Sequence, residues 1–161
     1  MIVQFGSALV ELVLGDITTQ EVDAIVNAAN SYLAGGGGVD GAIHDAAGPE
    51  IMKELQRRYP DGCPTGSAVA TSAGQLAARH IFHAVGPVWQ GGGKKESQLL
   101  QSAYESCLDL AEQHNCRSVA FPSISTGVYR YPVDLAGEIA LRTVATRLES
   151  TQQIKLVRFV L

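Results

Sequence analysis

Apolar residues along the chain fall into short runs separated by glycine- and proline-rich breaks, and the period of each run predicts its structure. Ile2 to Phe5 and Ala8 to Leu14 are rich in Val, Leu and Ile and are parted by Gly6-Ser7, which predicts two strands or one bent strand. Gly15-Asp16 ends the second run, and Thr18 or Thr19 is placed to cap a brief helical turn. Asp23 to Ala28, DAIVNA, has the compact apolar character of a buried central strand, with Asn27 and Asn30 at its C-terminal end. Val39 to Ala47 and Pro49 to Arg58 predict two helices divided by Gly48-Pro49, and Tyr59 to Gly66 is a turn-rich loop. Ser67 to Thr71 and His80 to Val85 predict further strands, and Gln90 to Lys95, QGGGKK, a flexible connector. From Glu96 to His114, Leu99, Leu100, Ala103, Tyr104, Cys107, Leu108 and Ala111 recur at helical spacing. Ser118 to Pro122 predicts a buried strand, Asp134 to Glu149 a helix with Leu135, Ile139, Val144 and Leu148 facing inward, and Ile154 to Leu161 a last strand. This alternation predicts an α/β chain folded as a three-layer α/β/α sandwich.

Composition narrows the class. The 161 residues fit one domain spanning 1–161, and the end of the chain within an apolar strand leaves open a trimmed C-terminal helix. No window approaches a membrane span, and MIVQFGSALVE has neither a basic leader nor a long apolar core, so a secretory signal is not expected. Cys63, Cys107 and Cys116 are odd in number and form no C-x-x-C pair, which favours the reducing cytoplasm. A net charge of −4 argues against binding nucleic-acid backbones. Any phosphate must therefore be held mainly by backbone amides.

Two stretches have the layout such a site needs. In VNAANSYLAGGGGVDGAIH an apolar run gives way to amides, then to Gly35 to Gly38, then to a helix start. Glycines let backbone N–H groups approach a ligand, and the helix adds unpaired donors and the positive end of its dipole. The same run read alone is also a plain connector. The second stretch, SISTGVYRYP from Ser123 to Pro132, offers hydroxyls and Gly127, with Tyr129 as either an aromatic wall or a packing residue. Both follow strands and precede helices, so parallel strands would put them on one sheet edge as a clamp for a diphosphate. The P-loop pattern is absent, since Lys95 follows Gly93-Lys94 and Val88 occupies the first glycine position. Gly36, Gly38 and Gly41 satisfy G-x-G-x-x-G, but the expected acid falls at Asp61 in a turn, which argues against a Rossmann site.

Gly15-Asp16-Ile17, Val26-Asn27-Ala28-Ala29-Asn30, GGGGVDGAIH, His83-Ala84-Val85-Gly86-Pro87 and SISTGVYRYP, read together and in order, closely resemble the macrodomain family, specifically the MacroD-type ADP-ribose hydrolases. The resemblance covers essentially the whole chain. It implies a central mixed sheet with an ADP-ribose cleft across the strand ends. It further implies that Asp16 accepts a hydrogen bond from the adenine amino group beside the Ile17 backbone. Gly37, Gly38 and Val39 would form the first phosphate loop, and Ser125, Thr126, Gly127, Val128 and Tyr129 the second. Asn30 would orient the distal ribose and Asp40, ten residues on, would be the catalytic acid residue.

The expected activity is removal of mono-ADP-ribose from acidic side chains of proteins, deacetylation of O-acetyl-ADP-ribose, or both, with water held by Asp40 or by a substrate phosphate. The alternative is a module that reads ADP-ribose without cleaving it. A helix-capping role for Asp40 belongs with that reading. An NAD-dependent oxidoreductase is a third, less favoured class. No cofactor and no metal are expected: His80 and His83 lie three apart in a strand and point to opposite faces, and His44 and Asp45 do not share a helix face. Cys107 lies on an apolar helix stripe, so no covalent intermediate is expected either.

Overall fold

A computed structural model describes residues 1–161. The first two apolar runs pair as an antiparallel hairpin, β1 (Ile2–Phe5) and β2 (Ala8–Val13), turning at Gly6 with φ of +59°. A 3-10 turn, Ile17–Thr19, follows, and its cap corrects the expectation of a threonine. Asp16 caps it, its Oδ1 accepting from the Thr18 N–H at 2.8 Å, because a short carboxylate reaches the backbone two residues ahead. The Thr19 hydroxyl instead donates back to the Asp16 carbonyl at 2.9 Å.

The remaining elements alternate as expected: β3 (Ala24–Ala29), α1 (Gly38–Ala47), α2 (Glu50–Arg58), β4 (Ala68–Ser72), β5 (His80–Val85), α3 (Glu96–Gln113), β6 (Ser118–Phe121), α4 (Val133–Ser150) and β7 (Leu156–Val160). They form a seven-stranded sheet of order β1-β2-β7-β6-β3-β5-β4. The sheet is mixed, with β1 and β4 antiparallel to their neighbours and the five strands between them parallel.

Side-chain alternation along the strands divides the interior into two cores. Val26, Phe82, Val119 and Phe121 meet Leu100, Tyr104 and Leu108 of α3 and Ala140, Val144 and Leu148 of α4 on one face. Ile25, Ile81, Val85 and Ala120 meet Ile43 and Ala47 of α1 and Ile51 and Leu55 of α2 on the other. This is the three-layer α/β/α sandwich. On α4 the inward stripe runs through Ala136, Ala140, Thr143, Val144 and Leu148, so Leu135 is 44% exposed and Ile139 half-buried. Small alanines seat that helix closely, leaving the larger leucine on the flank. Leu99 on α3 is likewise half-buried.

The connector Gln90 to Lys95 is not the free linker its glycines suggest. Glu96, 1% exposed, turns its carboxylate back onto the loop and accepts from the N–H groups of Gln90 (2.9 Å), Gly92 (2.8 Å) and Lys94. Despite the burial cost, those backbone donors hold its pKa down to about 2.

Candidate functional site

The C-terminal ends of β3, β5 and β6 meet at one sheet edge. Because β3 and β6 are hydrogen-bonded neighbours in parallel register, with Ala24 opposite Val119, the loops that follow them face each other across a cleft of about 440 Å³. Ala28 to Asn30 and Gly36 to Asp40 form one wall, Gly86 the floor, and Ser123 to Ser125 with Gly127 to Tyr129 the other wall.

On the first wall, Gly38 opens α1 with φ of +58°, a conformation that favours glycine. Gly37 occupies the cap position and no side chain caps the helix, so its first-turn N–H groups are free donors at the positive end of the dipole. On the second wall, Ser125 holds φ of +69° and its buried Oγ has no partner. Gly86 lies directly beneath: a Cβ there would come within 2.1 Å of that Oγ. The Thr126 hydroxyl bonds the Ser123 carbonyl at 3.1 Å and the Ser123 Oγ at 2.8 Å, closing the loop on itself. Tyr129 is half-buried and lines the wall, and its backbone carbonyl accepts the Trp89 backbone N–H at 2.8 Å.

Asp40 is buried at the inner end of the cleft. Its Oδ1 accepts from Asn27 Nδ2 at 2.6 Å, with His44 Nε2 one helical turn away at 3.5 Å. Its Oδ2 has no partner and lies against Gly35 and Gly36. Burial pushes this carboxyl up, but hydrogen bonding from His44 and Asn27 outweighs it and holds the group below its ordinary range. Asp40 is thus an ionised carboxylate with one oxygen buried and unpaired, and it does not cap α1. Asn27 also contacts Nδ1 of His83 at 3.2 Å, and His83 Nε2 lies 2.8 Å from the Thr71 hydroxyl. Burial, helped by neighbouring His44, pushes His83 down to about 3, so it is neutral.

Asn30 is half-buried on the wall; its Nδ2 donates to the Gly35 carbonyl at 2.9 Å and its Oδ1 accepts from the Ala34 N–H at 3.2 Å. It therefore shapes the loop leading to the glycines. Of the residues singled out from sequence, Asn30, Gly37, Gly38, Val39, Asp40, Ser125, Gly127, Val128 and Tyr129 line the cleft. Asp16, Ile17 and Thr126 do not. Asp16 is exposed on a turn that packs against α1, and Ile17 is buried in the core beneath that helix. Sequence reasoning missed Asn27, His44, Thr71 and His83 as partners behind Asp40. The local signals were the i,i+4 spacing of Asp40 and His44 and the polar Asn27 and His83 inside apolar runs.

Fold and cleft together define an α/β domain that presents two amide-rich loops and one buried carboxylate at its strand ends. The Macro domain family model matches residues 26–140, and the chain belongs to that family. It is 58% identical over 154 residues to a Macro domain-containing protein of Caldanaerobacter subterraneus, covering 94% of this chain and 87% of that one. It is 54% identical over 152 residues to the O-acetyl-ADP-ribose deacetylase of Salmonella gallinarum, covering 91% and 85%. Among solved structures, the Oceanobacillus iheyensis macrodomain with ADP superposes with a TM-score of 0.94 at 43% identity, covering 99% of this chain and 86% of that one.

Proposed function

We propose that the protein binds ADP-ribose along the cleft and hydrolyses an ester on its distal ribose, deacetylating O-acetyl-ADP-ribose and releasing mono-ADP-ribose from acidic side chains of proteins. The observation that carries this reading is Asp40: a buried, ionised carboxylate with one oxygen held and the other unpaired, on the wall of a cleft lined by two glycine-containing loops. Similarity to a deacetylase and to a macrodomain solved with ADP supports it.

In this reading the amides of Gly37, Gly38 and Val39 and those of Ser125 to Tyr129 hold the two phosphates, and Asp16 with the Ile17 backbone receives the adenine beyond the cleft proper. Asn30 orients the distal ribose. Asp40 Oδ2 takes a hydrogen bond from the attacking water and draws off its proton as the water oxygen bonds to the acyl carbon. The acyl–oxygen bond then breaks, the ribose oxygen takes up the proton, and the free acid leaves. A phosphate oxygen of the substrate is the competing base. No cofactor and no covalent intermediate are required. Three free, buried thiols, Cys63, Cys107 and Cys116, fit a cytoplasmic setting.

The test offers the protein O-acetyl-ADP-ribose and a substrate mono-ADP-ribosylated on glutamate, and follows free ADP-ribose. Asp40→Ala is expected to lower turnover by about 10²- to 10⁴-fold, the range of a general base, with ADP-ribose Kd nearly unchanged. Asp16→Ala is expected to weaken ADP-ribose binding instead. Intact substrates alongside normal ADP-ribose binding would make the protein a reader and not a hydrolase.

A further inference from the structure

On the sheet face behind Asp40, among the apolar side chains of Ile25, Ile81 and Val85, three buried polar side chains stand together. Asn27 on β3 and His83 on β5 are register partners, and Thr71 on β4 lies beside them; all three are at most 1% exposed. Buried polar groups are held chiefly by their hydrogen bonds, and here both ring nitrogens of His83, the Thr71 hydroxyl and the Asn27 NH2 all have partners, Asn27 Oδ1 alone lacking one, so the protons can be assigned atom by atom.

The Thr71 Oγ1 lies 2.9 Å from the Ser72 carbonyl and 2.8 Å from His83 Nε2. A carbonyl only accepts, so the single hydroxyl proton goes to Ser72 and Oγ1 accepts from Nε2–H. Neutral His83 then carries its lone pair on Nδ1, facing Asn27 at 3.2 Å. That lone pair demands a donor, and so does the ionised Oδ1 of Asp40 at 2.6 Å. Only the NH2 of Asn27 satisfies both, one hydrogen to each. The amide is thereby barred from its flipped state, which would turn its carbonyl on the Asp40 carboxylate.

We propose that Thr71 and His83 are positioning residues: through the tautomer of His83 they lock the Asn27 amide, which holds Asp40 by Oδ1 and leaves its Oδ2 unpaired. The catalytic part of this proposal rests on the reading of Asp40 given above. The lock itself is a property of the resting protein. The charged and titratable groups around the chain are His44 and Asp40 from α1 and Glu54 from α2 against His83, with His44 and His83 against Asp40.

Three measurements test it. Imidazole nitrogen NMR of the wild-type protein is expected to show His83 as the neutral Nε2–H tautomer from pH 8 down to about 5; an Nδ1–H tautomer, or an imidazolium forming near 6.5, would overturn the lock. Thr71→Val keeps the shape but removes the acceptor. It is expected to mix the His83 tautomers, raise the Asp40 pKa and lower kcat about tenfold, the worth of one hydrogen bond, while KM and ADP-ribose Kd stay within about twofold. Thr71→Ser should restore all three readouts. His83→Phe should act in the same direction as Thr71→Val and more strongly.

A fall in kcat in Thr71→Val with the tautomer and the Asp40 titration unchanged would reduce Thr71 to a packing role and sink the proposal. Absence of hydrolysis by the wild-type protein, with the tautomer and pKa responses present, would leave the lock standing and remove the hydrolase. Normal hydrolysis with no change at Asp40 in either variant would do the reverse.

Discussion

Gly86 sits where β5 ends beneath the second loop, and it is the position at which one methyl group should do most damage to the cleft. A Cβ built there lies 2.1 Å from Ser125 Oγ, 2.6 Å from Ile124 Cγ2 and 3.4 Å from Ser125 Cβ. The first two distances are far inside van der Waals contact, and neither neighbour can yield easily. Ser125 already holds φ of +69°, with its carbonyl tied to the Tyr131 N–H at 2.9 Å. The Ile124 N–H donates to the buried Tyr104 hydroxyl at 3.2 Å. The loop backbone must therefore move as a unit.

Overpacking of this kind costs about 1–3 kcal/mol, and for a chain of this size about 2–4 °C of Tm is lost per kcal/mol. Gly86→Ala should accordingly unfold about 2–12 °C below the wild-type protein in differential scanning calorimetry. Calorimetric titration should show weaker ADP-ribose binding, because the displaced loop carries amides assigned to the phosphates. The clash with Ser125 predicts coupling: in a double-mutant cycle, Ser125→Gly should recover roughly 1 kcal/mol of the loss, the remainder belonging to Ile124. A Tm within about 1 °C of wild type, or a strictly additive cycle, would refute the steric account.

Two further outcomes follow from the buried ionisable groups. His83 has its pKa pushed from 6.5 to about 3, so below pH 6.5 the unfolded chain gains a proton that the folded chain refuses. Stability from this group is complete above pH 6.5 and falls as the pH drops towards 3, by about 2 kcal/mol between pH 6.5 and 5 at roughly 1.4 kcal/mol per unit. His80, lowered by burial and by His114, adds with the same sign. Urea unfolding at stepped pH measures the sum, and a flat profile from pH 7 to 5 would contradict a neutral buried His83. Glu96→Gln places an NH2 against the amides of Gln90, Gly92 and Lys94, so one of those donors must lose its acceptor. Hydrogen exchange should quicken across residues 90–95 with α3 itself unchanged; unaltered protection there would show that the loop does not depend on the carboxylate.

The order of strands and helices was legible because each element carries its own local signature. DAIVNA reads as a central strand from its unbroken apolar character, and the α3 stripe from its period. What escaped depended on contacts between elements. Leu135 has the right chemistry and nearly the right phase for the core, yet the stripe that faces it is set by how closely Ala136 and Ala140 let α4 approach. Gln90 to Lys95 reads as free from three glycines and two lysines, since nothing local announces that the next carboxylate folds back to bind it. Composition measures what a loop can do, and the stapling residue decides what it does.

The candidate site divides along the same line. The two loops that line the cleft were legible because a glycine run between a strand and a helix is a local pattern with a backbone meaning, whereas Asp40 was singled out through the family resemblance. Asn27, His83 and Thr71 were not, although two of them stand out as polar residues inside apolar runs. Their partnership is written in the register of three strands: His83 is 56 residues from Asn27 and 12 from Thr71, and only the pairing of β3 with β5 and of β5 with β4 brings them together, with Asn27 opposite His83 and Thr71 diagonal to it. One rule would have narrowed the search. An asparagine with no exposure near the end of DAIVNA is costly unless its donors are satisfied, so some element must supply acceptors on the α1 face of the sheet. Alternation places position 27 on the face of Ile25, and 83 on the face of Ile81, so both polar side chains must look towards the helix that begins at Gly38. Asp40, in the first turn of that helix, is then the acceptor the strand requires, and the carboxylate at the end of the cleft is held by the sheet beneath it as much as by the loop that carries it.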